Sequence, residues 1–176
     1  MGSAYIKPPR TILEAFQSLP EGTLAQLINN QIVMSPAPTN THQKVLGKIF
    51  SQLLQFADEN NLGEVRVAPF DVYFNRRNVY QPDIVFIAHA NLHHLKESGF
   101  YGAPDLVIEV LSPGTWRADK EDKKDEYERS GVKEYWMVDP ATKIAEGYLL
   151  REGVFEPAES TTDMLQINLL QLVINF

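Results

Sequence analysis

The chain has 176 residues, 44% of them hydrophobic and 22% charged, which fits one globular domain able to bury roughly 70% of its unfolded surface without staples. The formal charge of -7 excludes a protein that coats nucleic acid by bulk electrostatics, because phosphate neutralisation needs clustered lysine and arginine; it leaves open an enzyme whose contacts are local. With no cysteine, disulfides and thiolate metal sites are excluded. No apolar run approaches the roughly 20 residues that span a bilayer, and Met1 to Tyr5 lacks the charged and apolar regions of a signal peptide, so a cytoplasmic protein is expected.

In chain order, residues 1–20 read as an N-terminal helical extension, with Thr11 as N-cap of a short helix that Pro20 stops. Thr23 to Ile28 and Gln31 to Ser35, joined by Asn29-Asn30, predict a β-hairpin. Pro36-Ala37-Pro38 breaks the chain ahead of a long helix beginning near Asn40 or Thr41, in which Val45, Ile49, Leu53, Phe56 and Ala57 recur at helical spacing. Leu62-Gly63 ends it. Val65 to Phe74 is strand material with a turn at Arg76-Arg77-Asn78, and Gln81 to Ile87 is the next strand, with Asp83 at its entry ahead of an apolar run. Ala88 to Phe100 reads as a loop or short helix.

The most informative stretch runs from Pro104 to Pro140. Leu106 to Leu111 is a buried strand by pattern, closed by a turn at Ser112-Pro113-Gly114. Glu109 is out of place in it: burying an ionised carboxylate costs several kcal/mol, on the order of a domain's whole stability, unless a cation or donors offset it. A positive group should therefore face Glu109. Arg117 to Ser130 contains no proline or glycine and predicts a helix with almost no apolar stripe, on which Asp119, Lys123 and Tyr127 stack one turn apart, with Trp116 just ahead. Such a helix is exposed nearly all round or turns a polar face toward a site. Val132 to Val138 resumes a strand, and a crossover of this length predicts parallel pairing of the two strands. Further on, Ile144 to Leu150 and Val154 to Pro157 suggest a hairpin around Arg151-Glu152-Gly153. Residues 158–176 form a C-terminal tail, apolar from Leu165 to Phe176, expected to pack on the domain or on a partner.

Pro-Asp-Leu-Val-Ile-Glu-Val-Leu-Ser-Pro from Pro104, the Asp-x-x-x-Lys-x-x-x-Tyr spacing from Asp119, and Gly-Val-x-Glu-Tyr-Trp-x-Val-Asp-Pro from Gly131 together resemble the Uma family of restriction endonucleases, within the restriction-endonuclease-like PD-(D/E)XK superfamily. The resemblance reaches upstream through Gln81-Pro82-Asp83 and Met34-Ser35-Pro36 to His42. It implies an α/β or α+β domain with a mixed sheet flanked by helices. It also implies Asp83 and Glu109 as the acids that hold a metal, and a backbone carbonyl at Val110 as a further ligand. Lys123, on the following helix, stands in for the lysine that the superfamily places where this chain has Leu111.

The chemistry is consistent with those residue types. If strands 82–87 and 105–111 are adjacent and antiparallel, Asp83 approaches Glu109. Two close carboxylates repel unless a divalent cation sits between them, and a hard oxygen site suits Mg2+ or Mn2+. Metal-dependent hydrolysis of nucleic-acid phosphodiesters is the expected function, with catalytic Asp83, Glu109 and Lys123; DNA is expected rather than RNA, and the family resemblance implies a homodimer. The alternatives on the residues alone are a strand-start cap for Asp83, a structural ion pair for Glu109, Lys120 or Lys124 in place of Lys123, a cap or packed role for His42, and a catalytically silent binding module.

Overall fold

The structure, a computed structural model, describes residues 8–112 and 118–176, those of 118–121 by their backbone alone. The expected turn at Pro113-Gly114, Trp116, the helix start at Arg117 and the side chains of Asp119 and Lys120 lie outside the described residues. Helix α1 (Ile12–Gln17) begins at Thr11, whose side chain accepts from the Glu14 amide. A hairpin follows, β1 (Ala25–Ile28) and β2 (Gln31–Met34). Both turn residues have positive φ, 48° at Asn29 and 66° at Asn30, the geometry that two-residue hairpins favour and asparagine tolerates.

Helix α2 (Asn40–Glu59) is capped by Thr39, which accepts from the His42 amide, and buries Val45, Leu46, Ile49, Leu53 and Ala57 along one face. Full burial of a side chain such as Ile49 or Leu53 contributes about 1.5–3 kcal/mol. Beyond it run β3 (Gly63–Val67), β4 (Val72–Tyr73), β5 (Val79–Tyr80) and β6 (Ile84–Ala88). The region expected to be loop or short helix is a 3-10 turn, His89–His94, followed by two short strands, β7 (Leu95–Lys96) and β8 (Gly99–Tyr101). The fully buried β9 (Leu106–Val110) leads through α3 (Ala118–Ser130) to β10 (Glu134–Val138). Five strands complete the chain: β11 (Ile144–Arg151), β12 (Val154–Pro157), β13 (Thr161–Thr162), β14 (Met164–Ile167) and β15 (Leu172–Asn175).

The central mixed sheet has the order β12-β11-β10-β9-β6-β3, with β13 alongside β11; a second sheet runs β2-β1-β5-β4-β8-β7. Strands β9 and β10 pair in parallel through the α3 crossover, as expected, and β6 pairs antiparallel with β9. Alternate residues send Ile84, Phe86, Ile108 and Val110 toward α2 and Val85, Ile87 and Val107 into a second cluster with Tyr127 of α3, Val72 and Phe100. The sequence pattern left the tail's structure open. It is the β14–β15 hairpin, whose Leu165, Ile167 and Ile174 join Phe176 in the α2 cluster of the same chain. None of the described helices is long and apolar enough to cross a membrane.

Candidate active site

The antiparallel register pairs Ile84 with Ile108. One step further along the same ladder, Asp83 stands opposite Glu109, and cross-strand neighbours project from the same face of a sheet. Both acids line a cleft of about 360 Å³, together with His42 and Lys123, walled by β2 and by the chain leading into α2. Asp83, Glu109 and Lys123, singled out in the sequence, all line this one cleft.

Lys123 is the cation that Glu109 requires. Its Nζ lies 2.8 Å from Glu109 Oε1, and the Tyr127 hydroxyl donates to the same oxygen at 2.6 Å. Helical spacing explains the pair, since Lys123 and Tyr127 are one turn apart on α3. The polar helix thus turns a polar face inward, and its Tyr127 ring is buried. Lys124 belongs to a different face, with its Nζ 4.3 Å from the centre of the Tyr148 ring. Glu109 nevertheless keeps a raised pKa. Burial is the main cause, the charge of Asp83 adds to it, and the ammonium of Lys123 and the Tyr127 hydroxyl oppose it.

Asp83 is held from the other side. The Val110 amide donates to its Oδ2 at 2.7 Å, and His42 Nε2 lies 3.2 Å from the same oxygen. His42 is only 4% exposed. Burial works against its charged form, but the hydrogen bond and charge of Asp83, the Val110 backbone and the charge of Glu109 outweigh burial and raise its pKa. The sequence drew attention to His42, yet nothing local could tie it to an acid 41 positions away.

Asp105, Glu126 and Glu134 are buried carboxylates like Glu109, whereas Asp83 is partly exposed, and their bonding separates structural acids from the cleft pair. Asp105 accepts from the Ala88 amide at 2.8 Å and from Asn91 at both oxygens, and pairs with Lys133 at 2.7 Å. Glu126 accepts from Asn75, Asn78, Ser130 and Arg129. Glu134 accepts from Trp136 Nε1 and from the amides of Asn168 and Leu169. In each of the three, both oxygens are occupied, as buried polar groups require. Asp83 Oδ1 and Glu109 Oε2, by contrast, receive no hydrogen bond from the described residues.

That donor set fits a hard divalent cation of the magnesium type, which takes one or two carboxylates and keeps several waters. It does not make an all-protein cage: among the described residues no group of three His, Cys, Asp or Glu side chains is arranged to hold a metal ion.

Comparison with known proteins extends these observations. A protein from Anabaena variabilis ATCC 29413, described as "a putative nuclease belonging to DUF820" and known from a 1.96 Å crystal structure, shares the fold with a TM-score of 0.77 over 95% of each chain, at 16% identity. No curated protein matches the chain in sequence. Residues 13–175 match the family Uma2, described as "Putative restriction endonuclease". The chain, with its paired acids at the cleft and its strand-helix-strand crossover, therefore belongs to the Uma2 family.

Proposed function

We propose that the protein is a divalent-metal-dependent endonuclease that hydrolyses phosphodiester bonds in DNA, using Asp83, Glu109 and Lys123. The observation that carries this reading is the pair of opposed carboxylates whose remaining oxygens, Asp83 Oδ1 and Glu109 Oε2, are left without bonds from the described residues, while the buried acids Asp105, Glu126 and Glu134 have both oxygens bonded. Family membership supports it.

In this reading Asp83 and Glu109 hold Mg2+ or Mn2+. When bound, the ion supplies a water of lowered pKa and withdraws charge from a phosphate oxygen. Lys123, already beside Glu109, places an ammonium where negative charge develops on the phosphate and orients the attacking water. Burial of Glu109 strengthens each of these interactions relative to bulk water. A symmetric dimer would present two such clefts to the two strands of a duplex.

The direct test is incubation of purified protein with plasmid DNA, and separately with RNA, in Mg2+ or Mn2+. The expected result is DNA cleavage that chelator stops and that Glu109→Gln abolishes with the fold intact. Failure to cut either polymer with any divalent ion would contradict the reading and favour a binding module. Cleavage confined to RNA would correct the substrate.

A further inference from the structure

The two acids of the cleft are gripped alike, each by one oxygen. His42, from the first turn of α2, and the Val110 amide close on Asp83 Oδ2. Lys123 and Tyr127, both from α3, close on Glu109 Oε1. We propose that His42 and Tyr127 are positioning residues of the metal site, fixing the two carboxylate planes so that Asp83 Oδ1 and Glu109 Oε2 are the oxygens presented to a divalent cation. This deepens the nuclease reading and rests on it.

A carboxylate turns readily about its last bond, where the torsion is broad and two-fold rather than locked into staggered wells. An unrestrained pair would have to be ordered by the ion itself, at an entropic cost to binding. Donors that hold one oxygen of each acid remove that cost in advance, as outer contacts do for ligands in established metal sites.

His42 is suited to this and poorly explained without it. Its Nδ1 is buried with no hydrogen-bond partner among the described residues, although buried polar atoms are ordinarily paired. Leaving Nδ1 bare fits the tautomer that carries its proton on Nε2, the nitrogen facing Asp83. It costs the fold something to keep the ring there.

Tyr127 shows the same economy of means. Its ring is fixed by edge and tilted contacts with Tyr135 at 4.9 Å, Phe74 at 5.4 Å and Tyr80 at 5.9 Å between centroids. The hydroxyl is thereby aimed at Glu109 by packing that does not depend on the hydroxyl. Being neutral, it orders the carboxylate without cancelling the charge that a cation needs.

The test is Mn2+ binding followed by electron paramagnetic resonance in the absence of substrate, on the wild type and on His42→Leu, His42→Gln and Tyr127→Phe. His42→Leu and Tyr127→Phe should weaken Mn2+ binding by about 10- to 100-fold, with little change in the melting temperature of the metal-free protein. His42→Gln, whose amide N–H can replace Nε2–H, should recover most of the affinity. Wild-type affinity in His42→Leu and Tyr127→Phe, or a lowered melting temperature with affinity unchanged, would overturn the positioning role while leaving the nuclease reading in place. A wild type that binds no Mn2+ would overturn both.

Discussion

Asp83 and Glu109 are cross-strand neighbours: the register that pairs Ile84 with Ile108 sets the two acids opposite each other at the open end of β6 and β9. One is tied to α2 through His42 and the other to α3 through Lys123. The cleft therefore depends on two strands and two helices at once, and each tie can be cut separately.

Lys123→Met removes the ammonium from the cleft and leaves Glu109 with the Tyr127 hydroxyl alone. In a metal-dependent nuclease the expected loss in kcat is about 10²- to 10³-fold, typical of deleting one group that stabilises transition-state charge. Lys123→Arg should recover little of it, since a planar fork cannot occupy the place of a compact ammonium. Single-turnover cleavage checks both. Undiminished rates would remove Lys123 from the mechanism and return attention to Lys120.

Asp105 gives a pH dependence of known sign. Burial pushes its pKa up, but Lys133, Asn91 and the Ala88 amide outweigh burial and leave it lowered. A depressed pKa contributes stability that is present above the unfolded value, about 3.9, and that is lost as pH falls through the folded value. Asp105→Asn should cost about 1–3 kcal/mol at neutral pH. Lys133 is 57% exposed at its side chain, so its share is screened by solvent. The gap between wild type and variant should close in acid, as urea titrations at several pH values can show.

Gly147 sits under Trp136 in the β10–β11 ladder, and a Cβ there would meet ring atoms at 2.7 Å. Trp136 is fully buried and donates to Glu134, so it has little freedom to give way. Gly147→Ala should destabilise the protein by about 1–3 kcal/mol through overpacking, measurable as a lower urea midpoint. Metal affinity of the folded protein should be unchanged.

The C-terminal hairpin supplies Ile174 and Phe176 to the core under α2. Ile174→Ala should cost about 2–5 kcal/mol. If the tail served only to join two copies, the same change would instead shift the sedimentation coefficient and leave the melting temperature of dilute protein untouched.

Much of the site was legible because two of its signals are local. An acid inside a six-residue apolar run and an acid just ahead of another need no partner to be noticed. Lys123 required the family spacing; of the alternatives to it, Lys124 lies over the Tyr148 ring. Other features were hidden for a common reason. Asp105, Glu126 and Glu134 owe their burial to donors on distant segments, such as Asn91, Asn75 and the Asn168 amide, which no periodicity reveals. His42 stood out, but its meaning lies in a contact across the sheet. Strands β7 and β8 are too short to show an alternation. The tail did carry one, with Leu165 and Ile167 then Ile174 and Phe176 turned inward, interrupted by a turn where Gln171 takes a φ of 52°.

If Asp83 and Glu109 hold a divalent ion together, as proposed, anomalous diffraction from a crystal soaked in Mn2+ should reveal it. The account predicts a single strong peak between Asp83 Oδ1 and Glu109 Oε2, at metal-oxygen distances of about 2.0–2.3 Å, absent from a Glu109→Gln crystal treated in the same way. A peak elsewhere, or none in the cleft while His42 and Lys123 keep their places, would contradict it.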